Sequence, residues 1–420
     1  MPEALSPLRE PRFRLLYFAQ AASVVGDNVS PIAIAFAVLW LTGSATDLGL
    51  VLAARSLPMV LLVVPAGALA DRYGRGRVVI ASDVVSLASQ GGLAALFLAG
   101  QANLWQVILL QAIYGSAAAL FFPASSGLVP ETVSAERLQQ ANALRYLTIG
   151  AATVVGPALG GVLVETAGSG SALAIDAATF AISASLLSRL GSLGATRAEA
   201  RPSFLSELAA GWREVRARAW VWVSILDFAV FQFFTYGCFQ VLGPLVASRS
   251  LGGASSWGTV VAAYGLGAVL GSATALRVRP KRPLAVAFLA SLGFAPALAL
   301  LGFPVPLLPL ALGWAAAGIG IGLGNVLWET TLQERIPPEL RSRVSAYDWL
   351  GSLAVRPLGF LVAGPLAAAL GVDVTLWLAA GGLAAATALT LSVSSVRRLG
   401  RSESNAERAA ADAALAVGSD

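Results

Sequence analysis

The chain contains no histidine, one cysteine (Cys238) and one lysine (Lys281), and each scarcity closes off a class of chemistry. Without histidine there is no imidazole metal ligand and no imidazole general base. One cysteine cannot form an intramolecular disulfide. A lone lysine between Pro280 and Arg282 leaves no phosphate-binding G-x-x-x-x-G-K-[ST] loop, so nucleotide hydrolysis is not expected. No metal, no cofactor and no enzymatic activity are expected. Charge is scarce as well: 12% of residues are charged, half the ~25% that covers a soluble domain. Most of the surface must face something other than water.

What is abundant is apolar. Hydrophobic residues make up 57% of the 420, and mean hydropathy is +0.74. They lie in runs of the ~18 or more residues that cross a ~30 Å hydrocarbon layer at ~1.5 Å per residue. The pattern predicts spans over 14–41, 46–70, 77–99, 103–127, 138–166 and 171–190, then 219–248, 255–276, 283–302, 305–329, 342–370 and 373–396. The expected fold is an all-α polytopic membrane protein of twelve transmembrane helices. The first run is too long for a signal-peptide core and is expected to stay as a helix.

The basic residues test the orientation. With both termini cytoplasmic, 24 of the 28 fall in cytoplasmic segments and one, Arg249, in an outer segment, while Arg55, Arg145 and Arg356 lie inside helices. That bias predicts a multi-pass protein of the inner (plasma) membrane with both ends in the cytoplasm. It also accounts for the net charge of +5 without a nucleic-acid partner. The bilayer is the expected environment, and a monomer the expected state.

Residues 191–218 interrupt the apolar pattern and divide the chain into 1–190, a cytoplasmic linker, 219–396 and a tail, 397–420. In the linker Phe204, Leu205, Leu208, Trp212 and Val215 recur at helical spacing, with Arg213, Arg216 and Arg218 on other faces. This predicts an amphipathic helix on the membrane surface. The halves echo each other: Pro130-Glu131 and Glu136-Arg137-Leu138 lead into the fifth helix, and Gln333-Glu334 and Pro338-Glu339-Leu340 into the eleventh. Six plus six helices around a central cavity are expected.

After the second helix the chain reads Gly67-Ala68-Leu69-Ala70-Asp71-Arg72-Tyr73-Gly74-Arg75-Gly76-Arg77. Gly67 is expected to let helices pack closely and Gly74 to allow a tight turn. Asp71 can pair with the arginines or with a helix N-terminus. The loop resembles the signature G-x-L-a-D-r-x-G-r-k of the major facilitator superfamily, with Gly76 in the usual lysine position. In the fifth helix, Gly156-Pro157-Ala158-Leu159-Gly160-Gly161 resembles the antiporter motif of drug/proton exporters in that superfamily, with Ala152 replacing its first glycine. Pro157 is expected to kink this helix. The resemblance, closest in style to the macrolide and siderophore exporter branch, implies the major facilitator fold. It also implies export of amphipathic small molecules in exchange for protons. One feature departs: exporters of this kind often carry R-x-x-q-G in the fourth helix, with an arginine implicated in proton transfer. Here Gln111-Ala112-Ile113-Tyr114-Gly115 puts Gln111 in that position. Gly318, Gly320, Gly322 and Gly324 superficially echo a dinucleotide loop, but inside a span they predict helix packing.

An ionisable group in the bilayer core costs at least ~2.5–3.5 kcal/mol, so each needs a partner or a purpose. Asp27 lies ~20 Å from the cytoplasmic start of the first helix and Arg55 ~13 Å from the outer start of the second, at one level. With Arg356, similarly central in the eleventh helix, they are the coupling candidates, Asp27 accepting either a proton or a cationic substrate. Asp83, Arg145, Asp227 and Asp348 lie nearer the cytoplasmic side and are expected to form gate salt bridges. Asp176 reads as shallow on the outer side, and Glu131 and Glu329 as interfacial. Trp40, Phe121, Phe122, Phe231, Phe234, Tyr236 and Trp328 are candidates to line the cavity. An importer or uniporter of a nutrient, or a receptor on the same fold, are the alternatives.

Overall fold

The computed structural model describes residues 3–190 and 212–400, apart from a few side chains within helices. The side chains of Asp71 and Phe122, the linker positions Phe204, Leu205 and Leu208, and the tail from 401 lie outside the described residues.

Helices account for nearly all of it, and no strand occurs among the described residues. Within the first half run α1 (Pro11–Thr42), α2 (Ala45–Tyr73), α3 (Arg75–Leu98) and α4 (Leu104–Thr132). Leu138–Ser188 follows as a run of 51 residues, about 77 Å of helix and far too long for one ~30 Å crossing. Its backbone leaves the helical region at Gly168 (φ 81°, ψ 160°), which divides it into α5 (138–167) and α6 (169–188). The second half holds α7 (Ala219–Leu251), α8 (Ala254–Ala275), α9 (Pro283–Leu301) and α10 (Leu307–Arg335). There α11 is two segments, Pro338–Ala354 and Arg356–Leu370, meeting at Val355, and α12 is Val372–Ser392. Among the described residues, eleven segments are long and apolar enough to cross a membrane; counting the pair joined at Gly168 as two makes twelve.

The two ends of the bundle are built differently. At the end poor in arginine the chain reverses at Gly43, Gly100, Gly168, Gly252–Gly253 and Gly371, all with positive φ that suits glycine. At this end one buried cluster runs through both halves, uniting Ile34, Val38 and Leu48 with Leu245, Ala254 and Phe360. Toward the arginine-rich end each half has a core of its own. Phe13, Leu16, Val79 and Leu128 pack together in the first half, and Trp220, Leu284, Trp328 and Val344 in the second. The halves are therefore joined at one end and separately packed at the other.

Close approach between the halves uses small residues, as membrane helix packing requires where no hydrophobic drive operates. A Cβ on Gly161 of α5 would lie 2.6 Å from the Ala254 carbonyl oxygen of α8, and one on Gly364 of α11 would collide with the Thr46 backbone of α2. The Gly318–Gly324 stripe is a packing device: Gly318 and Gly322 abut the α8 carbonyls of Tyr264 and Ala268, and Gly320 the α9 carbonyl of Ala290.

Candidate functional site

A cavity of about 270 Å³ lies within the first half and is lined by α1 through α6. Three side chains close it at its arginine-poor limit: Asp27 from α1, Arg55 from α2 and Tyr114 from α4. From there it runs along Val24, Met59, Ala118, Phe121 and Phe180 toward Tyr17, Gln20, Ser125 and Arg145. The walls are mostly apolar and the charges sit at the two ends.

The equal depth of Asp27 and Arg55 is realised, but they are joined through a third residue. Tyr114 donates its hydroxyl hydrogen to Asp27 Oδ1, and the Arg55 guanidinium carbon lies 4.5 Å from the centroid of the same ring. Cation–ring attraction and hydrogen bond act through one phenol, 1% exposed. Gly115 makes this possible, because any side chain there would run into the Arg55 carbonyl. Near the other end Arg145 Nε donates to Gln20 Oε1 at 2.8 Å, and the Tyr17 and Thr148 hydroxyls are 2.8 Å apart, joining α1 to α5.

Arg356 is apart from this trio, at the bend of α11. Its guanidinium lies 4.0 Å from the Tyr236 ring centroid. With the Gln232 amide oxygen turned toward it, Arg356 donates from Nε and a terminal nitrogen at 2.8 and 2.6 Å. Tyr236 lines a second cavity of about 250 Å³ between the halves, with Asn28, Thr153, Gln240, Tyr264 and Phe294.

Three other expectations need correcting. Asp83, Arg145, Asp227 and Asp348 form no ion pair with one another. Asp83 accepts from Ser183 Oγ at 2.6 Å, Asp227 from Thr390 Oγ1 at 2.9 Å and Asp348 from Trp328 Nε1 at 2.9 Å, each inside its own half. Asp176 is not shallow but fully buried against Gly26, one residue from Asp27. Among the cavity aromatics, Phe121 and Tyr236 line cavities. Trp40 is 58% exposed on the outer surface of the bundle, and Phe231 and Trp328 are buried in aromatic clusters.

In the loop after α2, Gly74 makes the turn with φ 89°. Arg75 crosses to α4, donating to the Gly127 carbonyl at 3.1 Å and pairing with Glu131 at 3.1 Å. Arg72 lies 5.6 Å from the Tyr73 ring, and Arg77 is exposed. Gly67 has nothing within 4 Å of where a Cβ would stand, so it serves no close packing in this conformation. In α5 the backbone stays helical through Pro157 and departs only at Gly168. Gly156 and Gly160 press on α1 at Asn28 and Val29, and Gly161 on α8. Outside the spans, Glu10 accepts from the Ser134 amide at 3.1 Å, the Ser134 hydroxyl at 3.0 Å and Arg137 at 3.0 Å. Burial pushes its carboxyl up, but the Ser134 hydrogen bonds and the Arg137 charge outweigh that and hold it below its ordinary value.

Similarity to known proteins agrees with this architecture. A family model for transmembrane secretion effectors, a group within the major facilitator superfamily, matches residues 2–417. The chain is 29% identical over 379 residues to the multidrug efflux pump Tap of Mycobacterium tuberculosis, covering 87% of this chain and 89% of that one. It is 29% identical over 343 residues to the enterobactin exporter EntS of Shigella boydii, covering 80% of each. Among solved structures, the nucleoside transporter NupG superposes with a TM-score of 0.68 at 15% identity, covering 91% of this chain and 98% of that one. A bacterial homolog of the lysosomal transporter Spinster, captured inward-facing, gives 0.70 at 15% identity over 96% of this chain and all of its own. These last two show the shared fold. The twelve helices, the shared core at one end and the family match together make this chain a member of the transmembrane secretion effectors of the major facilitator superfamily.

Proposed function

We propose that this protein exports amphipathic small molecules across the inner membrane in exchange for protons, working as a monomer by alternating access. The arginine-rich end and both termini lie in the cytoplasm. The observation that carries the reading is the cavity of the first half: apolar along its walls, with Asp27 and its phenol-linked partner Arg55 at the closed end. An apolar tunnel recognises shape and hydrophobicity, and one carboxylate at its end selects for a positive or hydrogen-bonding group. Relatives named as a multidrug efflux pump and an enterobactin exporter favour export over import.

A core shared by the halves at the outer end and divided at the cytoplasmic end supports reading this as the inward-open state. In that state the Arg75–Glu131 pair latches the loop after α2 onto α4. Arg145, the one cation among the four gate candidates, would leave Gln20 for Asp227 or Asp348 of the second half when the cytoplasmic end closes. The α5 glycines, seated on α1 and α8, are the surface about which the halves rock. Arg356, with Tyr236 and Gln232, supplies the second half's charge to the coupling.

The test is ethidium efflux from preloaded cells, with and without an uncoupler. Export that stops when the proton gradient collapses, and that D27N lacks while reaching the membrane in normal amount, supports the reading. Efflux indifferent to the gradient, or undiminished in D27N, overturns it. An importer would instead raise the internal dye, and a receptor would leave it unchanged.

A further inference from the structure

Behind Asp27, away from the cavity, a second carboxylate is buried among neutral groups. Asp176 of α6 is 0% exposed. Its Oδ2 accepts from Gln90 Nε2 of α3 at 2.5 Å, and its Oδ1 has no partner. Gln90 Nε2 also donates to Ser30 of α1 at 2.6 Å, and Gln90 Oε1 accepts from Gln111 of α4 at 3.1 Å. Both glutamines are themselves 0% exposed. A Cβ on Gly26 would strike Asp176 Oδ1 and Thr179 Oγ1, so the bare backbone beside Asp27 is what admits Asp176 to this position.

The other ionisable groups around Asp176 are Asp27 on α1, Arg55 on α2 and Tyr114 on α4. On its own partner helix α3, Asp83 is bonded to Ser183, two turns further toward the arginine-rich end. Two carboxylates thus share one guanidinium in a place where unbalanced charge is costly. With the cavity empty, the group is neutral when Asp27 is ionised against Arg55 and Asp176 carries a proton. With a cationic substrate at Asp27, two positive charges face two carboxylates, and the group is neutral only when Asp176 has lost that proton. The geometry points to a division of labour: Asp27 is the substrate's counter-ion, and Asp176 is the seat of the exchanged proton. In the step, the Asp176 O–H bond breaks, its electron pair stays on the carboxylate, and the proton leaves to water. Gln90 holds Oδ2 in both states and acts as a positioning residue. This rests on the exchange proposed above and names where its proton resides.

Two measurements on the purified full-length protein test it. In weakly buffered detergent solution with a pH-sensitive dye, ethidium should release about one proton per bound cation from the wild type, by the charge count. D176N, a fixed mimic of the protonated acid, should bind ethidium but release none, and D176E should restore release. Equal release from D176N and wild type overturns the assignment. In infrared spectra of the substrate-free protein, a protonated-carboxyl carbonyl band should be present in wild type and absent from D176N. A wild type without that band, or a D176N protein that keeps it, overturns it too. If ethidium neither binds nor is exported yet the band vanishes in D176N, the export reading fails while the buried proton stands.

Discussion

Tyr114 donates to Asp27 with its hydroxyl while the face of its ring receives Arg55, so one side chain of α4 ties together the charges of α1 and α2. Tyr114→Phe keeps the ring and removes the donor, whereas Tyr114→Ala removes both. A hydrogen bond to a charged group contributes about 1.5–3 kcal/mol, so Y114F should weaken ethidium binding roughly tenfold or more, and Y114A further. Direct fluorescence titration reads this, and equal affinity in Y114F would show that the phenol does not hold Asp27.

Gly26→Ala drives a methyl group into Asp176 and Thr179. Overpacking in a tight interior costs about 1–3 kcal/mol, so a thermal-shift assay should show a lower Tm than wild type. Gly67→Ala meets nothing within 4 Å in this conformation and is the control expected to leave Tm in place.

Cys238 is the sole cysteine and is buried, so introduced pairs can be read without a complex background. Glu165→Cys with Ser255→Cys places two thiols where α5 and α8 meet, at residues whose side chains already hydrogen-bond to each other. Mild oxidation should cross-link them, and the cross-linked protein should stop exporting until it is reduced. Continued export by the cross-linked form would mean that this contact does not open.

Glu10 fastens the segment before α1 to Ser134 and Arg137. Its carboxyl is held below its ordinary value in the fold, so the stability it adds is present above the unfolded carboxylate range. It is lost as pH falls through the lowered folded value. Glu10→Gln should therefore lower Tm at neutral pH, by the equivalent of about 1 kcal/mol for a half-exposed network. The gap to wild type should close in strong acid. A gap that is constant with pH would assign the effect to shape alone.

Run length and arginine bias made the twelve helices legible, because each crossing must be long and apolar whatever its neighbours are. The break at Gly168 fell between the fifth and sixth spans for the same reason. Rise per residue also set Asp27 and Arg55 at one level. Tyr114 was not legible: an aromatic residue in a span packs against lipid, core or ligand with the same signature, as Trp40 on the surface and Trp328 in the interior illustrate. A span beginning at 171 leaves Asp176 shallow, which is not where the fold puts it. The helix actually starts just past Gly168, about 12 Å before Asp176. Which of Asp83, Arg145, Asp227 and Asp348 find charged partners depends on how the helices meet, and depth along a helix does not encode that.

The glycine reversals at the arginine-poor face have a practical corollary. Gly43, Gly168, Gly252–Gly253 and Gly371 turn the chain within one or two residues, so there is almost nothing there for an antibody or protease to grip. Only the connections before Leu104 and before Leu307 leave a few residues between helices. With the orientation proposed above, a surface tag for following this transporter on living cells belongs in one of those two stretches, because in any of the tighter hairpins it would pull apart helices that touch.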